Sequence, residues 1–133
     1  MKNRERIARG LVVIGSLSLF APAALRDFTG YPMLSRALGT VNPRPFLEGS
    51  SRAFWHLLSW HWVVIGVLAL VVSYGGTKLR KFAVLLCGLL AFMDAIGTII
   101  AVGLFLGNEL LILAALAFLA AAVLFEDGHS LQA

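Results

Sequence analysis

The chain is poor in charge, in cysteine and in histidine, and each shortage removes a class of function. Charged residues fill 14% of its 133 positions and hydrophobic residues 59%. Soluble domains carry about a quarter charged residues. Mean hydropathy is +0.88. A soluble chain this short has no interior large enough for so much apolar surface, so lipid must be part of its solvent. A single cysteine, Cys87, excludes an internal disulfide and a CxxC redox pair. In its apolar surroundings Cys87 reads as a small buried thiol. Of the three histidines, two share one stretch and the third, His129, lies near the far end. The net charge of +4 comes from basic residues at the ends of apolar runs. A membrane explains them there, and no nucleic-acid partner is implied.

What is present is four apolar runs in one domain. They predict an all-α integral membrane protein, an up-down-up-down four-helix bundle. The helices fall at about 7–25, 52–74, 82–106 and 109–125, with an extramembrane loop over 26–51. Each run approaches the ~20 residues needed to cross ~30 Å of hydrocarbon. No run alternates as a barrel strand does. The first run follows a basic segment and ends near Ala21-Pro22-Ala23. It reads either as a cleavable signal peptide or as a retained helix. We expect the retained helix, with Pro22 in its last turn.

The long loop holds Gly30, Pro32, Gly39, Pro43, Pro45 and Gly49. A short interfacial helix is expected over 32–38, with Pro32 as its first residue. Asn42 to Pro45 must be extended, because each proline disfavours helix at the residue before it. Connections this long act as lids or binding loops when they lack regular structure. Ser50 or Ser51 is the expected cap of the second helix. Gly75-Gly76 ends that helix, and Gly107-Asn108 is the expected tight turn between the last two.

Lysine and arginine set the orientation. Lys2, Arg4, Arg6, Arg9, Lys78, Arg80 and Lys81 fall on one side, and Arg26, Arg36, Arg44 and Arg52 on the other. The expected location is the cell's inner (plasma) membrane, multi-pass, with both termini cytoplasmic.

The unusual chemistry lies in the second and third helices. An ionisable residue inside a membrane helix costs at least ~2.5 kcal/mol and needs a partner or a task. Asp94 lies about 18 Å along the third helix, and His61 lies at nearly the same depth on the second. Ser16 and Ser18 sit near that level, and Thr98 is one turn from Asp94. One reading is a polar site with a proton-accepting Asp94. The other is a buried acid that fixes helix packing. On the second helix Arg52, His56 and Ser59 form one stripe, and Trp55, Ser59 and Trp62 an adjacent one. Trp55 and Trp60 also fit an aromatic belt, whereas Trp62 is too deep for one. Arg52 can pair with Glu48 at the helix entrance. The candidate ligand-binding residues are Arg52, Trp55, His56, Ser59, His61, Trp62, Asp94 and Thr98.

His56 and His61 point about 140° apart around their helix, which disfavours a two-histidine metal site. Haem needs an axial histidine, often with a second from another helix, and the other three helices have none. No cofactor is assigned. The missing cysteine pair sets aside the thiol-oxidising quinone enzymes. A first helix without an embedded glutamate sets aside the small multidrug transporters. Ser59 near His56 is the only nucleophile–base candidate, with no oxyanion donor, so no catalytic residue is named. Gly103 and Gly107 form a GxxxG pattern, and the alanine-rich fourth helix offers a close-packing face. Either suits a homodimer.

The layout resembles the DoxX-like group of small four-helix bacterial membrane proteins. The shared features are the basic N-terminus, GLVVIGSLSLFAP in the first helix, the long outer loop, Arg52 opening the second helix and a basic turn before the third. They cover most of the chain. Some members of that group are linked to quinone-coupled sulfur oxidation or to membrane oxidative-stress complexes. Asp94 and FWHLLSWHW depart from the group's features, and no residue role carries over.

The expected function is that of a small membrane protein binding a hydrophobic ligand, lipid or quinone, or serving as an accessory subunit of a larger membrane complex. The alternatives are a quinone-linked redox component exchanging protons at His56, His61 and Asp94, and a proton-coupled carrier acting as a homodimer.

Overall fold

The computed structural model describes residues 2–41, 43–75 and 79–125, and these are almost wholly helical. The helices are α1 (Lys2–Leu25), α2 (Tyr31–Val41), α3 (Pro45–Tyr74), α4 (Arg80–Val102) and α5 (Leu106–Leu124). Four stretches are long and apolar enough to cross a membrane: Lys2–Val41, Pro45–Tyr74, Arg80–Val102 and Leu106–Leu124.

Small residues set the packing. Buried positions recur every three or four residues: Ala8, Val12, Gly15, Leu19 and Ala23 on α1, and Ser59, Trp62, Gly66, Ala69 and Ser73 on α3. On α4 they are Val84, Cys87, Ala91 and Ala95, and on α5 Leu111, Ala114, Phe118 and Ala121. This is one apolar stripe per helix, facing a shared core. The Phe118 ring lies against Gly15, Leu119 against Gly88 and Phe20 against Gly66, so three glycines admit large side chains from neighbouring helices. The alanine-rich α5 packs against both α1 and α4. The α3–α4 seam is the sparsest of the four helix pairings.

At one end Arg80 Nη1 donates to Glu5 Oε1 at 2.8 Å, and the Arg80 guanidinium lies 4.3 Å from the Phe125 ring. Arg9 stacks 5.3 Å from Tyr74 at that same end. These contacts gather the starts of α1 and α4 with the ends of α3 and α5. The Glu5–Arg9 pair at 2.9 Å and the Arg80 bridge carry α1 back to Lys2, five residues before the expected start at 7.

The connection over 26–51 differs most from the expectation. Only Pro43 and Arg44 are non-helical there among the described residues. Arg26–Gly30 forms a π-helical turn that joins α1 to α2 without a break. Pro32 supplies the reason. In an α-helix its ring would collide with the Phe28 carbonyl, and a widened turn relieves that clash. The interfacial helix expected over 32–38 is the longer α2. Pro45 begins α3, with its fixed φ suited to a first helical position, and Glu48 stabilises the first turn. Ser50 and Ser51 therefore lie inside α3 and cap nothing. Pro43-Arg44 keeps the extended form that the prolines impose, with Arg44 at φ −56°, ψ 141°.

The turn between α4 and α5 comes earlier than expected. Gly103 adopts φ +85°, a left-handed conformation that glycine tolerates, and α4 stops at Val102. Asn108 Nδ2 donates to the Gly103 carbonyl at 2.6 Å, holding the turn from the first turn of α5. Gly107-Asn108 is thus helical. Gly103 and Gly107 fall on either side of the turn, so the GxxxG pattern presents no single helix face. Gly75 ends α3 as expected, whereas Gly76, Thr77 and Lys78 lie outside the described residues, as does the tail with His129.

Candidate functional site

Two carboxylates meet two histidines on different faces of α3, one at the Arg26–Gly30 turn and one at the α4 seam. The deeper pair is Asp94 on α4 and His61 on α3, with His61 Nε2 3.2 Å from Asp94 Oδ2. The same oxygen accepts from Trp62 Nε1 at 3.1 Å. Consecutive residues of α3 thus converge on one carboxylate. Trp62 is buried in the core, at 2% exposure. His61 keeps 41% of its side-chain surface and Asp94 20%, so the pair opens outward through the seam. One turn to either side lie the exposed apolar residues Leu57 and Val64 of α3 and Leu90 of α4. The site is a polar notch in an apolar wall.

The second pair lies nearer the α2 end. Asp27 Oδ1 accepts from Ser59 Oγ at 3.0 Å and is 3.4 Å from His56 Nδ1. The His56 ring packs on Tyr31 with centroids 4.6 Å apart. Arg52 donates from Nη1 to Tyr31 Oη at 3.1 Å and from Nη2 to Glu48 Oε1 at 2.7 Å.

Arg26 links the two pairs. Its guanidinium lies over Trp55, 3.9 Å from the ring centroid, and 5.9 Å from the Trp62 ring centroid. Arg26 Nε donates to the Trp55 carbonyl and Trp55 Nε1 to the Arg26 carbonyl, each at 3.1 Å. Gly30 allows Trp55 this close, since a Cβ there would meet the indole at 2.6 Å. The π-turn makes this clasp possible, because it turns the adjacent Arg26 and Asp27 both toward α3. π-helical turns inside helices are frequent at functional sites.

Of the residues expected from sequence, Arg52, Trp55, His56 and Ser59 gather at the α2 end, and His61, Trp62 and Asp94 form the deeper notch. Thr98 does not turn its hydroxyl to the Asp94 carboxylate. It donates to the backbone carbonyls of Asp94 at 2.8 Å and Ala95 at 3.0 Å, a bond that a helical threonine makes within its own helix. Ser16 also departs from the expected level. It donates to the Gly66 carbonyl at 3.0 Å, about one turn from Trp62 toward the Glu5 end. Trp60 is 65% exposed, as an aromatic belt requires.

Sequence reasoning missed Arg26 and Asp27. The available signal was a charged pair abutting an apolar run, with Asp27 the only acid between Glu5 and Glu48. Among the described residues no cluster of three or more His, Cys, Asp or Glu is arranged to hold a metal ion. Comparison of the chain with protein-family models, curated proteins and solved structures returns no match.

Proposed function

We propose that the chain is a multi-pass membrane protein that binds a hydrophobic ligand with a polar head in the α3–α4 notch. The observation that carries this reading is the Asp94–His61–Trp62 cluster, polar and open between exposed apolar residues. A carboxylate and an imidazole facing bare hydrocarbon are costly. A ligand whose head bonds to them and whose tail lies along Leu57, Val64 and Leu90 removes that cost. With Nε2 turned to Asp94, His61 offers Nδ1 to a carbonyl or hydroxyl.

In this reading the helices run up, down, up and down. Between the Glu5–Arg80 bridge and Arg26, α1 extends about 30 Å, the thickness of the hydrocarbon core. The basic Glu5–Arg80 end faces the cytoplasm of the inner (plasma) membrane, with both termini. At the other end α2 lies along the outer interface, where Phe28, Met33, Val41 and Phe46 are exposed. The notch then sits in the outer half of the bilayer, one to two turns below Arg26. The layout shared with the DoxX-like group agrees with such a bundle.

A quinone is the narrower form of the same reading. A histidine and a carboxylate 3.2 Å apart can hold the proton that a quinone head gains or loses.

The test is organic extraction of protein purified in mild detergent, with the extract identified by mass spectrometry. Wild type is expected to carry a stoichiometric amphiphile. Asp94→Asn, which keeps the shape and the acceptor for Trp62, should bind it about tenfold more weakly, since hydrogen bonds to charged groups contribute about 1.5–3 kcal/mol. Equal retention in both proteins would sink the notch as the binding site.

A further inference from the structure

The end of the bundle opposite the notch carries its own groove. It is open, about 510 Å³, and lined by Lys2, Glu5, Arg6, Arg9, Gly10 and Tyr74. Lys2, Arg6, Arg9 and Gly10 share one face of α1, spaced by three and four residues. Gly10 forms a bare floor, with nothing within 4 Å of where its Cβ would stand. Tyr74 closes the side that meets α3.

The charges in this groove are unbalanced. Glu5 is the only acid at this end among the described residues. It already accepts from Arg9 Nη2 at 2.9 Å and from Arg80 Nη1 at 2.8 Å. Lys2 and Arg6 are exposed, and neither forms an ion pair among the described residues. Arg9 Nε is sealed from water and bonds to no acceptor among the described residues. Like charges at this spacing destabilise an isolated helix. An anion seated over Gly10 would relieve that repulsion and accept from Lys2, Arg6 and Arg9 together.

We infer that this groove is a phosphate subsite for an anionic phospholipid head. It rests on the reading that the bundle spans a bilayer, because that places the groove at the cytoplasmic headgroup layer with Tyr74 at the interface. Lys2 and Arg6 supply the charge, Gly10 the room and Tyr74 the aromatic wall. Each basic residue near an anionic surface contributes roughly fivefold to binding.

The experiment places the full chain in phosphatidylcholine nanodiscs containing phosphatidylglycerol. Spin-labelled lipids of each kind report which one the protein holds. Failure to incorporate at all would count against the membrane reading itself. Incorporation with no preference for phosphatidylglycerol would overturn only the groove. Wild type is expected to prefer the anionic lipid severalfold at low salt. Lys2→Gln with Arg6→Gln should abolish that preference without unfolding, because both side chains are exposed and neither bonds to another described residue. Gly10→Phe, which fills the groove and leaves every charge in place, should abolish it too. Retention of the preference in Gly10→Phe would reduce the effect to diffuse charge and overturn a built site. Arg36→Gln with Arg44→Gln, at the other end, should leave it intact, and an equal loss there would also overturn it. Displacement of the lipid by millimolar orthophosphate at matched ionic strength would assign the groove to free phosphate instead. A preference that appears only after Glu126 and Asp127 are neutralised (both lie outside the described residues) would make the tail its occupant and refute the lipid.

Discussion

Trp62 donates its indole N–H to Asp94 across the sparsest seam of the bundle, at 3.1 Å. Among the described residues it is the one side-chain hydrogen bond that reaches that seam from the buried core, and it fixes the carboxylate that His61 approaches from outside. Trp62→Phe keeps most of the buried ring and removes only the donor. It should therefore cost about 1 kcal/mol, the net value of a typical hydrogen bond. Asp94→Ala should cost more, about 1–3 kcal/mol, because it strands the Trp62 N–H in the core. Thermal midpoints in one detergent check the ranking. An Asp94→Ala protein as stable as wild type would show that the bond holds nothing together.

Glycine packing gives a cleaner stability test, since it involves no charge. A Cβ on Gly15 would stand 2.7 Å from the Phe118 ring. Phe118 is fully buried and has nowhere to retreat. Gly15→Ala should destabilise by about 1–3 kcal/mol, as overpacking does. Gly97→Ala meets nothing within 4 Å and should stabilise α4 by about 0.5–1 kcal/mol through helix propensity alone. Opposite signs in a pair of thermal melts are the expected result.

The contrast between these sites and the α1–α2 junction shows what sequence can carry. Four apolar runs are legible because hydropathy and helix length act locally. The depth of Asp94 against His61 is legible because rise per residue is constant, so counting from helix ends aligns two neighbours. Neither argument says which way a side chain faces, and Thr98 duly bonded to its own helix. Arg26 and Asp27 were hidden for a different reason. Their roles depend on a π-turn, and that turn follows from Pro32 acting on Phe28 four residues back. Gly30, Pro32 and Gly39 read locally as breakers, yet the chain stays helical through all three, with Trp55 packed against Gly30. The same limit applies at Gly103, where a left-handed glycine and the Asn108 side chain placed the turn ahead of the position that composition suggested.

Arg26 should resist replacement even by lysine. Its flat guanidinium stacks on Trp55 and donates from Nε to the Trp55 carbonyl, while the indole returns a bond to the Arg26 carbonyl. Lysine keeps the charge but has no planar face and no Nε donor at that position. Arg26→Lys should lose about 1–2 kcal/mol of stacking and hydrogen bonding. Tryptophan fluorescence should report a changed Trp55 environment in that variant. Arg36→Lys, on an exposed face of α2, should change neither reading.

Topology can be read with a single thiol. Cys87 is 1% exposed and should not react with maleimide in the folded protein. In a Cys87→Ser background, a cysteine replacing Ala37, exposed on α2, should be labelled by an impermeant maleimide added outside intact cells. A cysteine replacing Leu79, which is 69% exposed at the Arg80 end, should react only after the membrane is opened. The expectation follows from charge, because the Glu5–Arg80 end holds Lys2, Arg4, Arg6, Arg9, Arg80 and Lys81, and translocating that cluster is unfavourable. Labelling of both positions from outside would contradict the proposed placement of the bundle across the membrane, and the reverse pattern would invert it. Inversion would move the Asp94–His61 notch to the cytoplasmic half and the Lys2–Arg6–Arg9 groove to the outer headgroups. The ligand of each site would then have to be sought in the opposite leaflet.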